Sequence, residues 1–165
     1  RMLQLSRLEN VRAINKSRFK AADFFSGLAD SFQTQLAERE LSLQLDISRG
    51  LVLEGDELLL RQAVGNLLAN AIDFSPRGGV ISLSATAGPD GVSIAVRDHG
   101  AGIPDFAREK VFDKFFSLNR PESGQKSSGL GLPFVREVVA LHNGEIHLDN
   151  AAPGLEARII LPKEG

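Results

Sequence analysis

Two alternating runs joined by a tight turn constrain this chain more than any other feature. Val80 to Ala87 and Val92 to Arg97 place apolar residues at every second position, with Gly88-Pro89-Asp90-Gly91 between them. A period of two fits a half-buried strand, and such a link folds two strands back on each other. The pair predicts a hairpin. In its second strand Val92, Ile94 and Val96 share a face, and the same period puts Asp98 on that apolar side. A carboxylate there needs donors, because a buried unpaired charge is very costly. The sequel, His99-Gly100-Ala101-Gly102-Ile103-Pro104, holds two glycines that allow positive φ and close backbone approach.

The second constraint is the stretch Leu58 to Ser75, LLLRQAVGNLLANAIDFS. Leu60, Val64, Leu67, Ala71 and Phe74 fall on one face of a helix. Asn66, Asn70 and Asp73 form a stripe roughly opposite. Asp56 suits the N-cap, and Ser75-Pro76 with Gly78-Gly79 ends the helix. Two carboxamides and a carboxylate are poor helix formers, so propensity does not account for them. One reading is a solvated polar face, and the stretch taken alone favours it. The other is a seat for a hard cation, since Mg²⁺ borrows a few oxygens and fills its shell with waters and substrate phosphates.

The remaining elements follow from the same two periods. Arg18 to Ala22, Glu40 to Asp46 and Leu51 to Leu53 read as strands, and Phe24 to Arg39 as one helix. Pro104 to Lys110 reads as a short helix, Ser117 to Ser128 as a polar loop, and Pro133 to His142 as a helix. Glu145 to Leu148 and Leu155 to Leu161 close the chain as strands about a Pro-Gly turn. Strands paired through tight turns, with helices between, predict an α+β two-layer sandwich: a mixed, mostly antiparallel sheet with helices on one face.

At 165 residues and 42% hydrophobic content the chain suffices for one domain with an ordinary core. A net charge of −2 argues against nucleic acid as a partner. The absence of cysteine removes disulfides and thiolate metal sites. No apolar run reaches membrane-spanning length, and no direct membrane contact is expected of this piece. Met2 to Ala13, with Leu5, Leu8 and Val11, reads as the tail of a longer exposed or coiled-coil helix, so the chain is expected to be a fragment.

The glycine pair in Ser127-Ser128-Gly129-Leu130-Gly131 stands before a predicted helix, an arrangement that suits an anion. Arg120 and Lys126 precede it and can add point charges. A plain helix entry explains the glycines equally. No Walker A lysine follows, and the Rossmann spacing is missing. Asp98-x-Gly100-x-Gly102 is likewise open: a tight turn, or a carboxylate at a pocket floor accepting from an exocyclic amine.

The combination is more specific than its parts. Asn66-x-x-x-Asn70, Asp98-x-Gly100-x-Gly102, the Phe112/Phe115/Phe116 cluster and Gly129-x-Gly131 occur in one order. This set resembles the N, G1, F and G2 boxes of the ATP-binding catalytic domain of sensor histidine kinases, of the Bergerat-type fold. NLLANAIDFS, DHGAGIP and GQKSSGLGLPFV are similar to the CreC type. The resemblance spans residues 17–165 and leaves 1–16 as a remnant of a dimerisation helix and linker.

The resemblance implies ATP and Mg²⁺ as ligands. Asn66 and Asn70 would hold Mg²⁺ and phosphates, with Asn66 the catalytic assignment. Asp98 would bond the adenine amino group beside Gly100, Gly102 and Ile103. Ser127, Ser128, Gly129, Leu130, Gly131 and Leu132 would belong to a lid over the triphosphate, and the phenylalanines would anchor its base. Three positions depart from the family's pattern. Asp73 stands where a basic residue is frequent, Ser117 where Arg is frequent, and Ser127 where Gly is usual. Phosphate charge would then fall to Mg²⁺, Arg120 and Lys126, with Asp73 touching a metal-bound water. The N-A-x-D pattern at Asp73 is similar to the wider superfamily with gyrase, MutL and Hsp90.

His99, His142 and His147 lack the helical context of a phosphoacceptor. The fragment is therefore expected to bind ATP as a monomer without phosphorylating itself. Its implied partners are the dimerisation and phosphoacceptor domain of the same kinase and a downstream response regulator. Its implied place is the cytoplasmic side of an inner-membrane sensor. The alternatives are an ATPase of the gyrase type, an anti-sigma-like serine kinase module, or a docking domain without activity. An ATPase of that type uses Glu where Asn66 stands, and an amide cannot deprotonate water.

Overall fold

The structure, a computed structural model, describes residues 14–102, 131–151 and 153–162. Chain order is β1 (Ser17–Lys20), α1 (Ala21–Ser31), α2 (Gln33–Glu38), β2 (Ser42–Ile47), β3 (Val52–Gly55), α3 (Glu57–Phe74), β4 (Val80–Gly88), β5 (Gly91–Arg97), α4 (Gly131–Leu141), β6 (Glu145–Asn150) and β7 (Leu155–Pro162). The expected hairpin is β4–β5, antiparallel from Ser82↔Arg97 to Gly88↔Gly91.

The main sheet runs β2-β4-β5-β7-β6. Its β2–β4 pair is parallel and the other three pairs are antiparallel. A separate two-stranded sheet joins β1 to β3. The α+β sandwich with a mixed, mostly antiparallel sheet is therefore the observed architecture.

Register explains the layers. Leu83, Val96, Ala157 and Leu148 stand in one row across the strands, and Ala85, Ile94, Ile159 and Ile146 in the next. These rows pack into one core with Phe24, Phe25 and Leu28 of α1, Leu60, Val64 and Leu68 of α3, and Val135 and Val138 of α4. Each such aliphatic side chain, fully buried, contributes about 1.5–3 kcal/mol. The alternate row, Ser82, Arg97, Glu156 and Asp149, lies on the other face of the sheet.

Two expectations need correction. The helix read as Phe24 to Arg39 is two helices, broken at Phe32 (φ −107°, ψ 7°). Ser31 Oγ donates to the Leu28 carbonyl at 2.6 Å, a local bond that competes with helix continuation. The strand read as Arg18 to Ala22 ends at Lys20, and Ala21, whose N–H donates to the Leu51 carbonyl, opens α1.

Candidate functional site

Helix α3 begins as expected: Asp56 is its N-cap, and Oδ1 accepts from the Leu59 N–H at 3.1 Å. Its apolar face is buried as the spacing predicts, at Leu60, Val64, Leu67 and Ala71. The opposite stripe is not a solvated face. Asn66 is only 8% exposed, and its Nδ2 donates to the Gly131 carbonyl at 3.4 Å. A Cβ placed on Gly131 would lie 3.9 Å from Asn70 Nδ2. The asparagine stripe therefore faces the first turn of α4. Asn70 and Asp73 are half-buried along it. Helical periodicity yields the stripe but not the element that covers it, and that element is α4.

Asp98 follows β5 on the core side, as alternation predicts, and is 5% exposed. Its Oδ1 accepts from Gly100 N–H at 2.9 Å and from Leu155 N–H at 3.3 Å. Burial pushes the Asp98 carboxyl above its ordinary value of 3.8. The backbone N–H groups of Gly100 and Leu155, and the nearby His99 and Arg97, oppose that rise. Oδ1 is held by a loop whose path demands glycine. A Cβ on Gly100 would overlap the Phe74 carbonyl, and Gly102 holds φ +81° against Asn150. His99 anchors the loop through Nδ1, which pairs with the Val80 carbonyl at 2.9 Å.

The Gly100–Phe74 contact brings the Asp98 loop to the C-terminal turn of α3, one turn beyond Asn70. The Asn66–Gly131 bond brings α4 to the middle of the same helix. The structure thus assembles Asn66, Asn70, Asp73, Asp98, Gly100 and Gly131 around one half of α3, while Gly102 lies against Asn150 and Gly154 of the β6–β7 turn and Leu132 packs on the core. Ile103, Arg120, Lys126, Ser127, Ser128, Gly129 and Leu130 lie outside the described residues, as do Ser117 and the three phenylalanines.

Sequence reasoning missed Gly154 and Leu155, which hold Asp98 from the β6–β7 turn. The Pro153-Gly154 pair signalled the turn, but nothing in it signalled the contact. Sequence reading leaves His142 as either structural or solvent-facing, and the structure makes it structural. It is buried, with Nε2 accepting the Asp56 N–H at 3.0 Å and Nδ1 donating to the Val138 carbonyl at 2.8 Å.

The donor set fits a hard cation that keeps waters and shares a substrate's phosphates. Among the described residues no cluster of three or more His, Cys, Asp or Glu forms a cage. The side chains present are neutral amide oxygens, with Asp73 one turn on, and Mg²⁺ is commonly held by so few protein ligands. The Asn66 amide turns its nitrogen to Gly131, which directs its oxygen elsewhere.

Comparison with known proteins gives the family and the fold. The chain is 42% identical over 153 residues to the sensor protein CreC of Escherichia coli K12, covering 93% of this chain and 32% of that protein. It is 35% identical to the sensor-like histidine kinase SenX3 of Mycolicibacterium smegmatis, covering 89% of this chain and 39% of that protein. The chain thus spans about a third of the length of these curated relatives. The nucleotide-free catalytic domain of histidine kinase ThkA has the same fold, with TM-score 0.81 at 23% identity, covering 91% of this chain and 99% of that one. Full-length ShkA in complex with AMPPNP superposes with TM-score 0.78 at 25% identity, covering 99% of this chain and 35% of that one. Residues 55–165, from the end of β3 onward, match the family described as histidine kinase-, DNA gyrase B-, and HSP90-like ATPase, and the chain belongs to that family.

Proposed function

We propose that this chain is the Mg-ATP-binding catalytic domain of a sensor histidine kinase. It would donate the γ-phosphoryl group of ATP to an imidazole nitrogen on a dimerisation domain, and ADP would leave. One observation carries the reading: a buried carboxylate, Asp98, and an amide stripe, buried at Asn66 and half-buried at Asn70, are drawn to the same half of α3. The complex of ShkA with AMPPNP supports a nucleotide as the ligand of this fold.

Asp98 spends Oδ1 on two backbone donors, which leaves Oδ2 for the adenine amino group. Asn66 and Asn70 would hold Mg²⁺ through their amide oxygens, with Asp73 on a metal-bound water. The cation, when bound, supplies charge neutralisation for the triphosphate and for the oxygens of the transferring group. Ser127, Ser128, Gly129, Leu130, Gly131 and Leu132, with Arg120 and Lys126, would close over the phosphates, and Ile103 would line the base. The residues would act mainly by positioning.

The phosphoacceptor would come from a dimerisation domain and the phosphoryl group would pass to a response regulator. The parent would be an inner-membrane sensor with this domain in the cytoplasm. Titration calorimetry with a non-hydrolysable ATP analogue, with and without Mg²⁺, tests the reading. Magnesium-dependent binding is expected, and no heat under either condition would remove the nucleotide assignment.

A further inference from the structure

Helix α3 is held at both ends by residues that close other helices. At its C-terminal end Arg39 Nη1 donates to the Ile72 carbonyl at 2.9 Å, and Nη2 to the Ser75 carbonyl at 2.6 Å. No basic residue stands in the last turn of α3 itself, so this guanidinium supplies the positive charge that helix end favours. At the N-terminal end His142 Nε2 accepts the N–H of the cap residue Asp56. His142 Nδ1–H donates within α4, so one neutral tautomer satisfies both bonds. The ring fits there because position 55 is glycine: a Cβ would stand 2.8 Å from it.

The two grips are built alike. Arg39 is the C-cap of α2, and His142 directly follows α4. Each precedes a residue in the left-handed region, Glu40 at φ 54° and Asn143 at φ 58°. Each helix closes with the paired bonds of a Schellman motif. In α2 these are Leu41 N–H to Leu36 O and Glu40 N–H to Ala37 O; in α4, Gly144 N–H to Val139 O and Asn143 N–H to Ala140 O. Both side chains therefore start from backbone that is bonded on either side.

What they hold is the helix that presents Asn66 and Asn70. His142 fixes how far α4 reaches along α3, and the far end of α4 is Gly131, against Asn66. Arg39 fixes the carbonyls that flank Asp73 and Phe74, and Phe74 O backs onto Gly100. We propose that Arg39 and His142 are positioning residues for the nucleotide site, setting the spacing of the asparagines to the Gly131 turn and to the Asp98 loop. This inference rests on the nucleotide reading above, and its test separates the two.

The test compares the parent chain with Arg39→Met, Arg39→Lys, His142→Leu, His142→Gln and a control, Leu161→Ala, on β7. Magnesium-analogue affinity and thermal midpoint are measured for each. Arg39→Met and His142→Leu should raise Kd about tenfold, as loss of an outer-shell support typically does. Arg39→Lys and His142→Gln, which keep a donor and an acceptor at similar reach, should recover most of it. Leu161→Ala should lower the midpoint with Kd unchanged. Parent-like binding by Arg39→Met and His142→Leu, or an equal affinity loss in Leu161→Ala, overturns the proposal.

Amide spectra of the nucleotide-free chain supply the second measurement. The Gly100 signal should move in the Arg39 variants, and the Gly131 and Asn70 side-chain signals in the His142 variants. None should move in Leu161→Ala, and unmoved signals in the Arg39 and His142 variants overturn the grip even if the parent binds no nucleotide. Should Arg39→Met or His142→Leu not fold, Arg39→Lys and His142→Gln carry the same readout: smaller displacements of these signals with a matching small rise in Kd support it, and unmoved signals, or displaced signals with parent affinity, overturn it.

Discussion

Asp98 and Leu155 are bonded twice. The Asp98 N–H donates to the Leu155 carbonyl at 3.0 Å, and the Leu155 N–H donates to Asp98 Oδ1 at 3.3 Å. The first bond extends the β5–β7 ladder one residue past Arg97, and the second turns that extension into a fixed seat for a carboxylate. The acid is thus held by the sheet from one side and by the Gly100 turn from the other.

Asp98→Asn tests both the charge and the seat. An amide keeps an acceptor for Gly100 and Leu155 but places a donor where the second oxygen stood. Adenine nucleotide affinity should fall by about tenfold or more, because a ligand amine would face an amine. Stability should respond in the opposite sense. Burial, the largest influence, raises the Asp98 pKa above 3.8, so the folded state holds the proton more tightly than the unfolded one. That contribution is fully present below the unfolded value and is lost as pH rises through the folded one. The thermal midpoint of Asp98→Asn relative to the parent should therefore increase from about pH 3 to neutrality. A constant difference across that range would mean that burial does not penalise the charge.

Gly154→Ala probes the far wall of the same seat. Gly154 has φ +97°, and a Cβ there would run into the Asp98 carbonyl. Strain and overlap together should cost about 2 kcal/mol or more. Urea unfolding should show a lower midpoint with unchanged slope, together with weaker nucleotide binding. A parent-like midpoint would show that the β6–β7 turn does not press on Asp98.

Glu40→Gly should stabilise the chain by about 0.5–1 kcal/mol. Glu40 occupies the left-handed C′ position of α2, where glycine carries no steric cost. Its ion pair with Arg77 at 3.3 Å joins two exposed side chains and contributes little. Asn143→Gly, the equivalent change after α4, should gain less, because asparagine tolerates that conformation. Thermal unfolding of both variants checks the order. A lower midpoint for Glu40→Gly would place the weight on the Arg77 pair instead.

Legibility followed sequence separation. The β4–β5 hairpin and the core-facing Asp98 were readable because alternation and a four-residue turn are local. The cap at Asp56 and the apolar face of α3 were readable for the same reason. The break at Phe32 was not, because it turns on one hydroxyl of Ser31 competing for a carbonyl. The burial of Asn66 was not, because period identifies a face and never its neighbour. Arg39 and His142 reach carbonyl and amide groups 33 and 86 residues away, and no local pattern marks them. Recognition of four ordered motifs carried the site further than periodicity did, since it joined Asn66 to Gly131 before any contact was known.

Asn66 and Asn70 should differ when each is cut to alanine. Both would lose an amide oxygen proposed to hold Mg²⁺, so both variants should lose magnesium-dependent affinity for the ATP analogue by about tenfold or more. Only Asn66 also ties α3 to α4, through Nδ2 to the Gly131 carbonyl. Asn66→Ala removes that donor from a part-buried carbonyl and should cost about 1 kcal/mol of stability besides. Asn70 is half-buried and Gly131 only passes near it, so Asn70→Ala should unfold close to the parent. Calorimetric titration with and without Mg²⁺, paired with urea unfolding, separates the two roles. Equal stability losses would show that the Asn66 bond at 3.4 Å does not bear on packing, and unchanged magnesium dependence in both variants would remove the amides from the metal seat.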